Sequence, residues 1–185
     1  MPSSSTKSER SDARRNRERI LGAARAAFAA DGAGLEMRAI AEAAGVGVGT
    51  VFRNFPTKQD LVSAMAREWV AERDAALERS LSVTDPWEAV ADHVRWCGEV
   101  MSREPGLRRL LTDASVKPQL PNEEDAAFTQ GLAELITRAH TAHALRAGVT
   151  AGTYYGLLVG LAAAINAGST WQAAADVILS GLHSP

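Results

Sequence analysis

The sequence predicts an all-α protein of nine helices, a small N-terminal three-helix unit followed by a six-helix bundle. Apolar residues recur at three- and four-residue spacing along most of the chain, alternating β-branched runs are absent, and alanine is abundant. Glycine, proline and Ser/Thr/Asp/Asn positions cut that pattern into helix-length pieces.

The first helix is expected over residues 12–30, with Asp12 as its cap, Ile20, Leu21, Ala24, Ala27 and Phe28 as its apolar stripe, and Asp31-Gly32 as its stop. Residues 1–12, rich in serine and charged at Lys7, Glu9 and Arg10, read as a flexible arm. Two short helices over 36–44 and 47–55 are stopped by Gly45 and Pro56. Thr57 caps a long fourth helix over 58–81, apolar at Leu61, Met65, Trp69 and Leu77. Thr84-Asp85-Pro86 opens a fifth, because proline suits a first helical turn, and its stripe is Trp87, Val90, Ala91, Val94, Cys97 and Met101.

Glu104-Pro105-Gly106 breaks that helix, residues 106–114 form a short sixth, and 117–121, with Pro118 and Pro121, form a loop. Asn122 caps a seventh helix running to Leu145, with Glu123, Glu124 and Asp125 at the positive end of its dipole and Gly148 beyond its end. Thr150 caps an eighth over 151–167, and the ninth starts at Ser169 or Thr170 and ends near Leu182. The expected domains are therefore the arm (1–12), the three-helix unit (13–57) and a helical body (58–185) joined to it through helix 58–81.

With 185 residues, 46% of them hydrophobic, the chain can bury a core without disulfide or metal. Its one cysteine, Cys97, excludes an intrachain disulfide and suits a reducing cytoplasm. No stretch resembles a signal peptide, and the longest apolar run, 154–167, falls short of a membrane span, so a soluble cytoplasmic protein is expected. The net charge of −2 divides unevenly: residues 1–60 hold ten Lys/Arg and seven Asp/Glu, the rest ten and fifteen. A basic segment on an acidic body suggests that the first part faces phosphate, although chance also produces such differences.

Within Ala39-Ile40-Ala41-Glu42-Ala43-Ala44-Gly45-Val46, small alanines let two helices approach, Gly45 supplies the tight turn, and Val46 plugs the angle between them. This is the pattern of a helix-turn-helix, whose second helix enters a DNA major groove. The stretch Ile40-Ala41-x-x-Ala44-Gly45-Val46-x-x-Gly49-Thr50-Val51-Phe52-x-x-Phe55-x-x-Lys58-x-x-Leu61 resembles the DNA-binding signature of the tetracycline-repressor (TetR) family. Ile20-Leu21-x-Ala23-Ala24-x-x-x-Phe28-x-x-x-Gly32 resembles that family's first helix, and Leu145-Arg146-x-Gly148-Val149-Thr150 resembles a step found in one subgroup.

The resemblance implies a ligand-responsive repressor that binds a palindromic operator as a homodimer. It also implies that a small molecule in the bundle tilts the fourth helix and releases DNA. The chain departs from the family where Gly47, Phe52 and Asn54 replace the usual Ser, Tyr and His, and where Leu35-Glu36 replaces Ser or Thr. Phe52 is expected to keep the ring packing and lose a phosphate-reaching hydroxyl, Asn54 to lose a positive charge, and Gly47 to remain a tolerable cap.

Candidate DNA contacts are Gly47, Val48, Gly49, Thr50, Phe52, Arg53 and Asn54 on the third helix or its entry, with Arg38 on the second. Thr50 suits a thymine methyl or a phosphate, and Arg53 a guanine edge or a phosphate. Thr57 and Lys58, with the amides opening the fourth helix, suit a phosphate, and Arg14, Arg15 and Arg17 the backbone or minor groove. Each arginine also has the plain reading of a solvated surface charge.

A helix-turn-helix gains specificity by pairing, and the eighth helix is apolar nearly all round. Tyr154, Leu157, Leu161, Ile165, Trp171, Ala174, Ile178 and Leu182 are therefore expected at a four-helix dimer interface. Trp69, His93, Trp96, Cys97, Met101, Phe128, Leu132 and Tyr155 are the bulky or polar-tipped candidates for a bundle cavity, or simply for core. No cofactor or metal is expected: His93 and Cys97 share one face but make only two ligands, and His140 with His143 reads as surface. An enzyme is disfavoured by the absence of a phosphate loop, a nucleophile elbow and Glu-x-x-His pairs. A protein-interaction module that has lost DNA binding is the remaining alternative.

Overall fold

The computed structural model describes residues 4–113 and 122–184; the expected loop at 117–121, the last residue of the expected sixth helix and the acidic side chains at 123–125 lie outside the described residues. The described elements are α1 (Ser4–Asp31), α2 (Met37–Ala43), α3 (Val48–Asn54), α4 (Lys58–Ser82), α5 (Pro86–Arg103), α6 (Pro105–Thr112), α7 (Asn122–Thr141), α8 (Ala151–Asn166) and α9 (Trp171–Leu182), with a 3-10 turn at Gly32–Gly34. The all-α expectation holds. Asp85, Thr150 and Thr170 each accept a bond from the amide three residues on, and Thr57 makes a full capping box with Asp60.

Two boundaries differ from expectation by more than two residues. Helix α1 begins at Ser4, so residues 4–12 are not a separate arm. No glycine or proline interrupts that stretch, and Asp12 pairs with Arg15 one turn on instead of capping a helix. Helix α7 ends at Thr141, four residues before Leu145. His143 takes a positive φ of 55°, and amide bonds His143→His140 and Ala144→Ala139, both 2.9 Å, close the helix. Leu145 then bridges His183, tying the loop to the end of α9 through Arg146 N–H→Leu182 O and Ser184 N–H→Ala144 O, both 3.0 Å.

The apolar side chains form two cores. Ile20, Leu21, Ala24 and Phe28 of α1 pack with Ile40, Val51 and Phe55 and with Leu61, Met65 and Trp69 from the first half of α4. Leu77, near the other end of α4, belongs to the second core, built from α5, α7, α8 and α9 around Val90, Val94, Leu135, Tyr154 and Leu161. Leu107 of α6 packs against both.

The turn between α2 and α3 depends on Gly45, at φ +61°. Amide bonds Ala44→Ile40 (2.8 Å), Gly45→Glu42 and Val46→Ala41 (both 3.0 Å) stop α2 there. Arg19 Nη2 of α1 donates to Gly45 O at 3.1 Å, and a Cβ on Gly45 would lie 2.6 Å from that nitrogen. Gly45→Ala therefore forces a side chain into left-handed backbone and displaces Arg19. Denaturant unfolding should show a loss of about 1–2 kcal/mol.

Candidate nucleic-acid interface and interior cavity

Helix α3 buries Val51 and, just beyond its end, Phe55, leaving its other side to solvent. Val48 is 36% exposed and Phe52 46%, so the Phe52 ring stands on the outer side of the helix. The reason is helical geometry: Phe52 follows Val51 by about 100°, so burying one turns the other outward. Polar groups beside them are already engaged. Arg53 Nε donates to Gly49 O and its Nη2 to Thr50 Oγ1, both at 3.1 Å, and Asn54 Nδ2 donates to Thr50 O at 2.8 Å. Gly47, Gly49 and Arg38 are exposed, while Thr50 is half-buried.

Several groups expected to grip phosphate already have partners within the chain. Thr57 N–H donates to Asp60 Oδ2 at 3.0 Å and the Thr57 hydroxyl donates to the same oxygen at 2.7 Å. A carboxylate thus occupies the opening of α4, with half-buried Lys58 beside it. Arg14 pairs with Glu18 at 3.6 Å, Arg15 with Asp12, and the Arg17 guanidinium lies 4.5 Å over the Phe55 ring. Exposed pairs of this kind exchange readily with solvent and with phosphate. Arg19, not expected from the sequence, braces the turn.

Inside the body lies a cavity of about 400 Å³. Trp69, His93, Trp96, Cys97, Met101, Phe128 and Tyr155 line it as the sequence suggests, together with Val70, Val100 and Leu158. Leu132 does not; it is buried in the core, where α7 packs on its neighbours. Sequence reasoning missed Glu72 and Arg73 on the α4 side and Leu107, Leu110 and Leu111 on α6. Arg73 lies 3.7 Å over the Phe128 ring and pairs with Asp74 at 2.8 Å. His93 is fully buried, shares a 2.8 Å hydrogen bond through Nδ1 with Tyr154 Oη, and stacks on Trp96 at 6.4 Å. Burial lowers its pKa to about 4, against a raising influence of Asp92, and burial pushes the Cys97 thiol up to about 12.

The cavity wall formed by α6 also reaches α1. Arg109 Nη1 donates to Ala29 O at 3.1 Å and Ala30 O at 2.7 Å, carbonyls at the end of α1. Its neighbour Arg108 bonds Asn166 Oδ1 of α8 at 2.8 Å and the Met101 carbonyl of α5. Two consecutive arginines therefore grip opposite parts of the molecule.

Three residues expected at a dimer interface point into the chain's own core: Tyr154 is fully buried, as are Leu161 and Leu182 to within 1%. An apolar helix gives no signal of which side faces its own body. Leu157, Ile165, Trp171, Ala174 and Ile178 are half-buried against that same core. The outer face carries Gly156, Gly160 and Ala163 of α8 and Val177 of α9, the last 73% exposed.

A family model of bacterial regulatory proteins of the TetR family matches residues 20–65. A second, the SbtR-like transcriptional regulator C-terminal domain, matches residues 85–184, more than half of the chain. The chain belongs to the TetR family. The transcriptional repressor KstR of Mycobacterium tuberculosis is 34% identical over 132 residues, covering 65% of this chain and 60% of that protein. The chain spans about half the length of the curated relatives it matches.

A TetR regulatory protein of Mycobacterium vanbaalenii superposes with a TM-score of 0.60 at 35% identity, covering 94% of this chain and 98% of that one. AibR, solved with isovaleryl coenzyme A and operator DNA, shares the fold at a TM-score of 0.74 and 18% identity, over 92% and 99% of the two chains. Among the described residues of this TetR-family chain, no helix is long and apolar enough to cross a membrane, and no three His, Cys, Asp or Glu cluster as metal ligands.

The lowered His93 pKa makes stability depend on pH. The unfolded chain takes up this proton near 6.5 and the folded chain near 4, so the stabilisation is complete above 6.5 and declines as pH falls toward 4. Thermal unfolding across that window should show a loss of up to about 3 kcal/mol. His93→Gln should flatten the slope.

Proposed function

We propose that this chain is a small-molecule-responsive transcriptional repressor that binds a palindromic DNA operator as a homodimer. The observation that carries the reading is one helix-turn-helix with an outward-facing second helix, joined through α4 and α6 to a body with an interior cavity. AibR, a protein of the same fold, binds both a coenzyme A thioester and operator DNA. The likeness to KstR, a repressor, supports repression.

The proposed division of labour is residues 13–57 for DNA, residues 58–185 for effector and dimer, and α4 for linkage. In the DNA-bound form, Val48 and Phe52 face base edges and contact thymine methyl groups, while Arg38, Arg53 and Lys58, with Arg14, Arg15 and Arg17, face phosphates. A molecule in the cavity presses on α4 through Trp69 and Val70 and on α6 through Leu107, Leu110 and Leu111. Movement of α6 shifts Arg109 against the end of α1, and movement of α4 shifts α3. Both change the separation of the recognition helices in the dimer. Tyr155, half exposed, stands at the cavity edge.

The decisive experiment selects duplexes from a random pool and then measures affinity against salt. Affinity should fall as salt rises. Phe52→Ala should weaken the selected duplex by about 1–3 kcal/mol and leave non-specific DNA unchanged. Lys58→Ala should weaken all duplexes alike and lower the salt slope by about one. No selected sequence and a flat salt response would return the chain to the class of protein-interaction modules.

For the dimer, sedimentation at micromolar concentration should give twice the chain mass. Val177→Glu, placing a charge on the outer face of α9 away from the core, should shift the protein to monomer with its helix content intact. A wild-type monomer under those conditions would sink the dimer proposal.

A further inference from the structure

Helix α1 begins well before its core does. Its packing into the N-terminal core starts at Ile20, and no residue from Ser11 to Arg19 is buried, yet the helix opens at Ser4. The stretch from Ser4 to Arg17 adds about 20 Å of helix ahead of that core.

Register gives this overhang two unlike sides. Positions 7, 10, 14, 17, 21, 24 and 28 alternate steps of three and four, so they form one line along the helix. The inner part of the line is Leu21, Ala24 and Phe28, all buried in the core, and the outer part is Lys7, Arg10, Arg14 and Arg17. Glu9 and Asp12, the acidic residues between 4 and 17, stand about 120° and 180° round the helix from that line.

Such a line opposes itself. Like charges three and four residues apart destabilise a helix by about 0.2–0.5 kcal/mol per pair, and a helix without tertiary packing is marginal. Glu18 meets Arg14 at 3.6 Å, but both side chains are exposed, so this pair offsets little. A polyanion laid along the line removes the repulsion.

Placement selects the polyanion. Arg17 lies 4.5 Å over the ring of Phe55, directly after α3, and Arg19 donates to Gly45 O, shortly before α3. Helix α1 therefore passes beside both ends of the recognition helix, and the basic line leads outward from there. Lys7 to Arg17 spans about 15 Å, over which a DNA strand, with one charge per about 3.4 Å of axis, presents several phosphates.

We propose that the overhang of α1 is a second DNA contact, a track on which Lys7 and Arg10 extend the grip of Arg14 and Arg17 along the phosphates flanking the bases read by α3. This rests on the DNA-binding reading above. Phosphates carry no base information, so the track lengthens the covered duplex without lengthening the selected sequence.

The test measures affinity against salt for the full chain on the selected duplex and on a random duplex of equal length. Lys7→Ala/Arg10→Ala should weaken both by the same factor and lower the salt slope by about two for each chain bound. Alanine favours helix, so the fold is kept, which circular dichroism checks. Adding Ser5→Lys and Ser8→Arg to that variant restores the net charge on the opposite side of the helix, and should recover less than half of the lost slope. Trimming the duplex to the selected bases should weaken the wild type more than Lys7→Ala/Arg10→Ala.

An unchanged slope in Lys7→Ala/Arg10→Ala, full recovery in the four-residue variant, or equal loss on trimming overturns the track. A wild type without salt-dependent duplex binding fails both this inference and the DNA-binding reading. Salt-dependent binding with an unchanged slope in the double variant fails the track alone.

Discussion

Helix α4 holds two cores at once. Its first half contributes Leu61, Met65 and Trp69 to the packing beneath the helix-turn-helix, and its far end contributes Leu77 to the bundle. A helix transmits displacement along its axis because every turn is tied to the next by backbone hydrogen bonds. Trp69, half-way along, belongs to the N-terminal core and also lines the cavity. A change of occupancy there therefore acts at a junction and not at a distant site. The capping box at Thr57 and Asp60 keeps the helix from fraying at the end where it meets α3.

Helix α6 supplies a second route of a different kind. Its leucines are pressed on by whatever fills the cavity, and its arginines are bonded to carbonyls on α1 and α5 and to Asn166 of α8. Leucine contacts are soft and permit sliding, whereas hydrogen bonds to helix-end carbonyls permit few positions. In the proposed mechanism this combination would convert graded pressure into a choice between a bonded and an unbonded arrangement, the kind of two-state element that switching requires. Gly32, at φ +57°, turns the chain directly beside Arg109.

Much of this architecture was legible in the sequence where the signal is local. Thr57, Asp85, Thr150 and Thr170 announce helix starts because a side-chain oxygen three residues before a free amide needs no tertiary context. Gly45 announces the turn because left-handed backbone favours glycine. The end of α7 was not legible, since His143 occupies a left-handed position without glycine's signature. The start of α1 was hidden because Asp12 has the residue type of a cap, whereas it pairs with Arg15 inside the helix. On α8, adjacent Tyr154 and Tyr155 are chemically alike, yet one is fully buried and the other 44% exposed. Seven cavity residues were readable as bulky or polar-tipped positions on helical stripes; the α6 leucines were not, because an amphipathic helix looks the same whether it faces a core or a void.

His93 and Cys97, both buried in the cavity wall, hold their protonation fixed. His93 resists protonation down to about 4 and Cys97 resists deprotonation up to about 12, so these walls keep one charge state across a wide span of acidity. Whatever enters the cavity therefore meets the same protonation state of these two groups across that whole span.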